Sequence, residues 1–222
     1  MKIFIDSANL SDIDDCLKRG LARGITTNPS ILAKEPKTDF IEHIRKIAAL
    51  CRERKQLLPL SVEVFVRDAA DMVPQALDFI ERIGYENINI KVPIGWNELE
   101  VIHSLASRGV RVNCTCIFTE AQAILAANAG ATYVSIFMGR LKDVGADPQF
   151  VISNTRKLLD AARSPAEIIV GSIRHGRDIT DAHIAGGHIV TASPALIKGT
   201  SSHPQTDKSV EGFLNDFQKW LK

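Results

Sequence analysis

The chain has 222 residues, 45% hydrophobic and 24% charged, with 27 lysines and arginines against 26 aspartates and glutamates for a formal charge of +1. That is enough apolar material for a sizeable core in one domain over 1–222, and a charge balance that gives no reason to expect bulk binding to nucleic acid or an anionic membrane. The N-terminal apolar run is too short for a signal peptide and no stretch nears about 20 consecutive apolar residues, so a cytoplasmic protein without a spanning helix is expected.

KIFID (2–6) reads as a first strand, and SDIDDCLKRG (11–20) as a helix capped by Ser11 and ended by Gly20. GITT (24–27) is a second strand, followed by NPS and a helix from Asp39 to Arg54. LPLSVEV (58–64), NINIKV (87–92), RVNCTC (111–116), TYVSIF (132–137), EIIVG (167–171) and HIVTA (188–192) continue the series. Helical stretches separate them at Arg67–Ile83, Asn97–Arg108, Glu120–Ala129, Pro148–Ala161 and Ile179–Ala185, with a short piece near Leu196. A last amphipathic segment, 210–222, follows the eighth unit. Strand–helix alternation argues a parallel sheet, and eight units argue an α/β fold of the closed (β/α)8 TIM-barrel type with an added C-terminal helix. An open doubly wound sheet predicts strands apolar on both faces. Here Ser61 and Glu63, Asn89 and Lys91, and Asn113 and Thr115 share one parity, as a polar lumen requires.

In such a barrel, reactive side chains come from the C-terminal ends of strands. That rule picks out Asp6, Asn28, Glu63, Lys91, Thr115, Phe137 and Ser172. Lys91 is the sharpest signal, because a buried unpaired ammonium costs several kcal/mol or loses its proton. A lysine amine in such a place adds to carbonyls and forms a Schiff base, whose iminium accepts electrons from a breaking C–C or C–H bond. The plainer alternative is an ion pair with Asp6 or Glu63. Either carboxylate could transfer protons, and Asn28 could hold a substrate hydroxyl or make an Asx turn before Pro29. Gly139 and Arg140 lie just past strand six, and Gly171, Ser172 and Arg174 end strand seven. Two arginines, a hydroxyl and glycine-exposed amides suit a phosphate.

The six histidines show no zinc-ligand spacing, so no metal is expected. Trp96 and Trp220 are too isolated for a stacking platform and read as packing residues. Cys16, Cys51, Cys114 and Cys116 form no C-x-x-C pair and read as reduced and structural, with Cys114 and Cys116 on one strand face.

ID at 5–6, GITTNPSI at 24–31, IKVP at 90–93, NCT at 113–115, SIFMGR at 135–140 and GSIR at 171–174 together resemble the small transaldolase family, which includes fructose-6-phosphate aldolases. The resemblance covers nearly the whole chain. It implies a TIM barrel with no metal or organic cofactor, acting on sugar phosphates. By match to the family's motifs, Lys91 is the Schiff-base lysine, Asp6 the acid/base for the substrate hydroxyl, and Glu63 with Thr115 the pair that positions a catalytic water. Asn28 with its neighbour Thr26, Asn113 and Phe137 would contact the substrate, and Arg140, Ser172 and Arg174 would grip its phosphate. Transaldolases of the family carry glutamate and phenylalanine at the Glu63 and Phe137 positions, where the aldolases carry glutamine and tyrosine. The resemblance therefore implies transfer of a dihydroxyacetone unit between sugar phosphates. The alternatives are an aldolase that releases free dihydroxyacetone, or a barrel that binds sugar phosphates without catalysis. Ile136 departs from the family's usual proline, and Cys116, where a bulkier aliphatic is usual, is expected to face outward. Small members form pentamers or decamers, with the C-terminal helix reaching a neighbour, and FLNDFQKWL (213–221) is apolar enough to do so.

Overall fold

The computed structural model describes residues 1–221. Eight parallel strands close into a barrel in sequence order: β1 (Lys2–Asp6), β2 (Ile25–Thr26), β3 (Leu60–Glu63), β4 (Ile88–Pro93), β5 (Val112–Ile117), β6 (Tyr133–Phe137), β7 (Glu167–Gly171) and β8 (Ile189–Ala192), with β8 pairing back to β1. The connecting helices form the outer ring: α1 (Leu10–Lys18), α2 (Pro29–Leu32), α3 (Phe40–Glu53), α4 (Ala69–Ile83), α5 (Trp96–Ser107), α6 (Glu120–Asn128), α7 (Met138–Asp143), α8 (Pro148–Ala161), α9 (Gly176–Ile184) and α10 (Pro194–Thr200). Beyond them runs α11 (Pro204–Trp220).

The strands obey the period-two rule. On their outer parity Ile5, Ile25, Val62, Ile90, Val92, Val134, Ile136, Val170 and Val190 are fully buried against the helices. Each such side chain contributes about 1.5–3 kcal/mol, so the main core lies between sheet and helices. The inner parity splits into two zones. At the N-terminal end of the lumen, Phe4, Tyr133, Ile169 and Ile189 form a small apolar plug, with Phe4 and Tyr133 edge to face at 6.2 Å. Gly24 makes room for it, since a Cβ there would stand 2.5 Å from the Phe4 ring. Above the plug the lumen is polar.

Several helix limits differ from expectation for identifiable reasons. Asn9, not Ser11, caps α1, accepting from the Asp12 N–H at 3.0 Å. α2, where only a turn was expected, is a single turn that follows Asn28. α7, also unexpected, starts directly from β6. α9 starts three residues early, because Asp178 satisfies the N–H groups at its start. α11 starts at Pro204, whose missing N–H is no loss in a first turn. Trp96 and Trp220 are not packing residues within the described chain: they are 84% and 77% exposed. Trp220 stacks on Phe217 along α11, a helix with no buried residue.

Candidate active site

The register of β1 to β5 brings the polar inner positions to the same end of the barrel. Glu63 pairs in register with Lys91, and Lys91 with Asn113. Near them three buried polar side chains, Ser135, Asn113 and Ser61, are linked to one another. Ser135 Oγ donates to Asn113 Oδ1 at 2.7 Å, and Asn113 Nδ2 donates to Ser61 Oγ at 3.2 Å. Such a network rigidifies a site only when its members are paired.

Lys91 sits in this lumen with its side chain 7% exposed. Its Nζ lies 2.9 Å from Glu63 Oε2 and donates to the Thr27 carbonyl oxygen at 2.9 Å. An ammonium has three N–H groups, so one direction remains uncommitted. The ion pair weighed from sequence alone therefore exists, with Glu63 as the partner.

Asp6 is held differently. Thr26 Oγ1 donates to its Oδ1 at 2.7 Å, and Thr191 Oγ1 lies 2.5 Å from Thr26 Oγ1. A hydroxyl has one proton, so with Thr26 committed to Asp6 the second bond is donated by Thr191. Burial raises the Asp6 carboxyl above its ordinary value, and the nearby Glu63 charge adds to this, against the lowering by Thr26 and Lys91. Asp6 is therefore a stronger base than a solvated aspartate. Thr191 lay outside the sequence reading. Its only signal there is a hydroxyl of inward parity near the end of the eighth strand.

These groups open into a cavity of about 360 Å³, the size range of small-molecule sites. Asp6, Thr26, Asn28, Glu63, Lys91, Asn113, Thr115, Phe137, Arg140 and Ser172 all line it, together with Ser135, Cys116, Gly171 and Thr191. The hydroxyl of Thr115 is buried and has no hydrogen-bond partner among the described residues, so it is available to a water or a ligand. Asn28 serves two ends. Its Oδ1 accepts from the Ile31 N–H at 3.0 Å, capping α2, while the residue borders the cavity. Phe137 packs against Phe118 at 5.9 Å and carries the Arg140 guanidinium over its ring at 5.1 Å. Ile136 leaves this loop regular: it is fully buried on the outer face and in register with Val170.

Two residues stand elsewhere than expected. Arg174 does not line the cavity, and its guanidinium forms a two-pronged pair with Asp143 at the surface. Cys116 does not face outward: it adopts a left-handed φ of 61° where the β5–β6 register shifts, which turns it to the cavity wall. Cys114 stays fully buried, its thiol pushed up to about 12 by burial. Among the described residues no group of three or more His, Cys, Asp or Glu side chains could hold a metal ion, and no helix is long and apolar enough to cross a membrane.

A buried lysine paired with one carboxylate and sharing its cavity with a second, at the C-terminal mouth of a (β/α)8 barrel, can do carbonyl chemistry. The family model described as Transaldolase/Fructose-6-phosphate aldolase matches residues 3–222. The chain belongs to the transaldolase/fructose-6-phosphate aldolase family. It is a transaldolase-type enzyme. A protein of Listeria monocytogenes named probable transaldolase 2 is 41% identical over 218 residues, covering 98% of this chain and 96% of its own length. A probable transaldolase of Alkaliphilus metalliredigens is 37% identical over the full length of both chains. Among solved structures, thiamine phosphate pyrophosphorylase from Pyrococcus furiosus shares the fold of this transaldolase-family chain, with a TM-score of 0.63 over 86% of this chain and 85% of that one at 13% identity. That likeness concerns the barrel alone.

Proposed function

We propose that the protein is a transaldolase that moves a dihydroxyacetone unit from a ketose phosphate, such as fructose 6-phosphate or sedoheptulose 7-phosphate, to an aldose phosphate, such as erythrose 4-phosphate or glyceraldehyde 3-phosphate. The observation that carries the reading is the buried Lys91 amine 2.9 Å from Glu63, in one cavity also lined by Asp6, Arg140 and Ser172. Lys91 Nζ attacks the C2 carbonyl while Glu63 takes the proton it must lose. The carbinolamine hydroxyl leaves as water, with Thr115 and Glu63 as its proton partners, and the C2–N iminium forms. The Asp6 carboxylate then takes the C4 hydroxyl proton. As the C3–C4 bond breaks, its electron pair moves to C3–C2 and neutralises the iminium, giving an enamine. The aldose phosphate departs with C4 as its aldehyde carbon. A second aldose phosphate accepts C3, Asp6 returns the proton to the new hydroxyl, and water at C2 frees the product and Lys91.

Arg140 and Ser172 bind the phosphate, and Arg174 joins them by exchanging Asp143 for the substrate. Phe137 offers no hydroxyl with which to protonate the enamine, which supports transfer over release of free dihydroxyacetone. Glyceraldehyde 3-phosphate release from fructose 6-phosphate, measured with and without erythrose 4-phosphate, tests the reading. Strong dependence on the acceptor is expected. Acceptor-independent release with free dihydroxyacetone would make the protein an aldolase instead.

The chain acts as one domain in a cytoplasmic homo-oligomer, a pentamer or decamer. Support comes from α11. Val210, Phe213, Leu214, Phe217 and Leu221 follow helical spacing and are all more than half exposed. A 17-residue helix without tertiary packing is marginal in water, and an apolar face of this kind marks an interface.

A further inference from the structure

We infer that Lys142 and Asp178 form a positioning latch that sets the affinity of the cavity for a phosphate by holding the Arg140 helix against the Ser172 loop. The inference rests on the reading of Arg140 and Ser172 as the phosphate end. Arg140 belongs to α7 and Ser172 to the loop after β7, so the two phosphate partners come from separate segments whose relative placement something must fix.

Asp178 makes the connection. It lies in the first turn of α9 and is 2% exposed. Its Oδ2 accepts the backbone N–H groups of Arg174 and His175, each at 3.1 Å. A role confined to starting α9 would need only that oxygen. The other, Oδ1, accepts from Lys142 Nζ at 2.5 Å, and Lys142 is two residues along α7 from Arg140. Although burial alone would raise it, Lys142 and the two backbone N–H groups hold the Asp178 carboxyl below its ordinary value, so the carboxylate stays charged in neutral solution.

The loop it holds needs holding. Ser172 has φ 58°, a left-handed conformation that a residue with a Cβ keeps only when its surroundings impose it. From the α7 side the Gly139 N–H donates to the Ser172 carbonyl at 3.0 Å. Only glycine allows this approach, because a Cβ at Gly139 would stand 2.2 Å from that oxygen. Gly139 thus holds the strained serine itself, Asp178 holds the backbone two and three residues beyond it, and Lys142 ties Asp178 back to α7. The Arg174–Asp143 pair joins the same segments but is half exposed and screened by water.

Lys142→Met, a partly exposed position, and Asp178→Asn provide the test, with inorganic phosphate and fructose 6-phosphate as probes. Each variant should raise the KM for fructose 6-phosphate about tenfold with kcat within about twofold, and weaken inorganic phosphate binding by calorimetry to match. Lys142→Arg should restore both. Borohydride trapping of unphosphorylated dihydroxyacetone on Lys91 should continue at the wild-type rate. An unchanged KM in folded Lys142→Met overturns the inference, and so does a raised KM accompanied by an equal loss of dihydroxyacetone trapping, which marks a general loss of structure. Wild-type protein that ignores inorganic phosphate overturns it as well. If phosphate binding weakens in the variants while wild type forms no borohydride adduct, the latch stands and the Schiff-base reading fails.

Discussion

Lys91 Nζ and Glu63 Oε2 lie 2.9 Å apart on neighbouring, in-register strands, the lysine side chain 7% and the glutamate 18% exposed. The pair offsets the cost of a buried ammonium without a dedicated counter-ion elsewhere, and in the proposed reaction it sets a proton acceptor beside the attacking amine. Asp6 is not a direct partner of Lys91: its hydrogen bond comes from Thr26, itself backed by Thr191. Two carboxylates near one amine thus have different surroundings, as the two proton-transfer roles proposed for them would require.

Asp6→Asn separates stability from activity. The native Asp6 pKa is raised above 3.8 by burial. Its favourable share of stability is therefore present below pH 3.8 and lost as pH rises through the raised native value. At pH 8 the partly buried carboxylate is a net cost, and asparagine keeps the acceptor for Thr26. The variant should show a Tm at or above wild type by calorimetry while kcat falls roughly a hundredfold or more. In wild type, kcat/KM should fall on the acid side through a value above the ordinary aspartate range. A Tm well below wild type would show that ionised Asp6 stabilises the fold.

Arg140→Ala should raise the KM for fructose 6-phosphate by about 10- to 100-fold, the loss of a charged hydrogen bond. Asp143→Ala asks about Arg174. If Arg174 leaves Asp143 for the substrate phosphate, freeing it lowers KM, by no more than about fivefold because the pair is exposed. An unchanged KM would mean that Arg174 takes no part in binding.

Cys116 is the cysteine of the cavity wall, whereas Cys16, Cys51 and Cys114 are buried. Burial, reinforced by Glu63, pushes its thiol above 9.0. Alkylation by iodoacetamide should therefore be slow at pH 7, accelerate as pH rises beyond 9.0, and slow again with saturating fructose 6-phosphate. Peptide mapping would report it, and rapid ligand-insensitive alkylation at pH 7 would place the thiol outside the site.

Removing residues 204–222 deletes α11, a helix none of whose own residues is buried. Light scattering should find a pentamer or decamer for the full chain and a smaller species for the truncated one. An unchanged mass would assign the assembly to the barrel surface.

The parity of NINIKV and its neighbours made Lys91, Glu63, Asn113 and Thr115 legible in the sequence, because period two in a closed barrel leaves only one interior. The exceptions arise where that rule lapses. Cys116 takes a left-handed φ at a register shift, which no alternation pattern encodes. Arg174 finds Asp143 across 31 positions, a pairing set by the approach of α7 to the β7 loop. The first turns of α11 carry polar residues on every side, so only Pro204 signals the true start.

Borohydride trapping with fructose 6-phosphate, followed by peptide mass spectrometry, tests the central claim most directly. A reduced dihydroxyacetone or ketose adduct on Lys91, absent from Lys91→Met, is the predicted result. An active protein with no adduct, or with the adduct on another lysine, would contradict it.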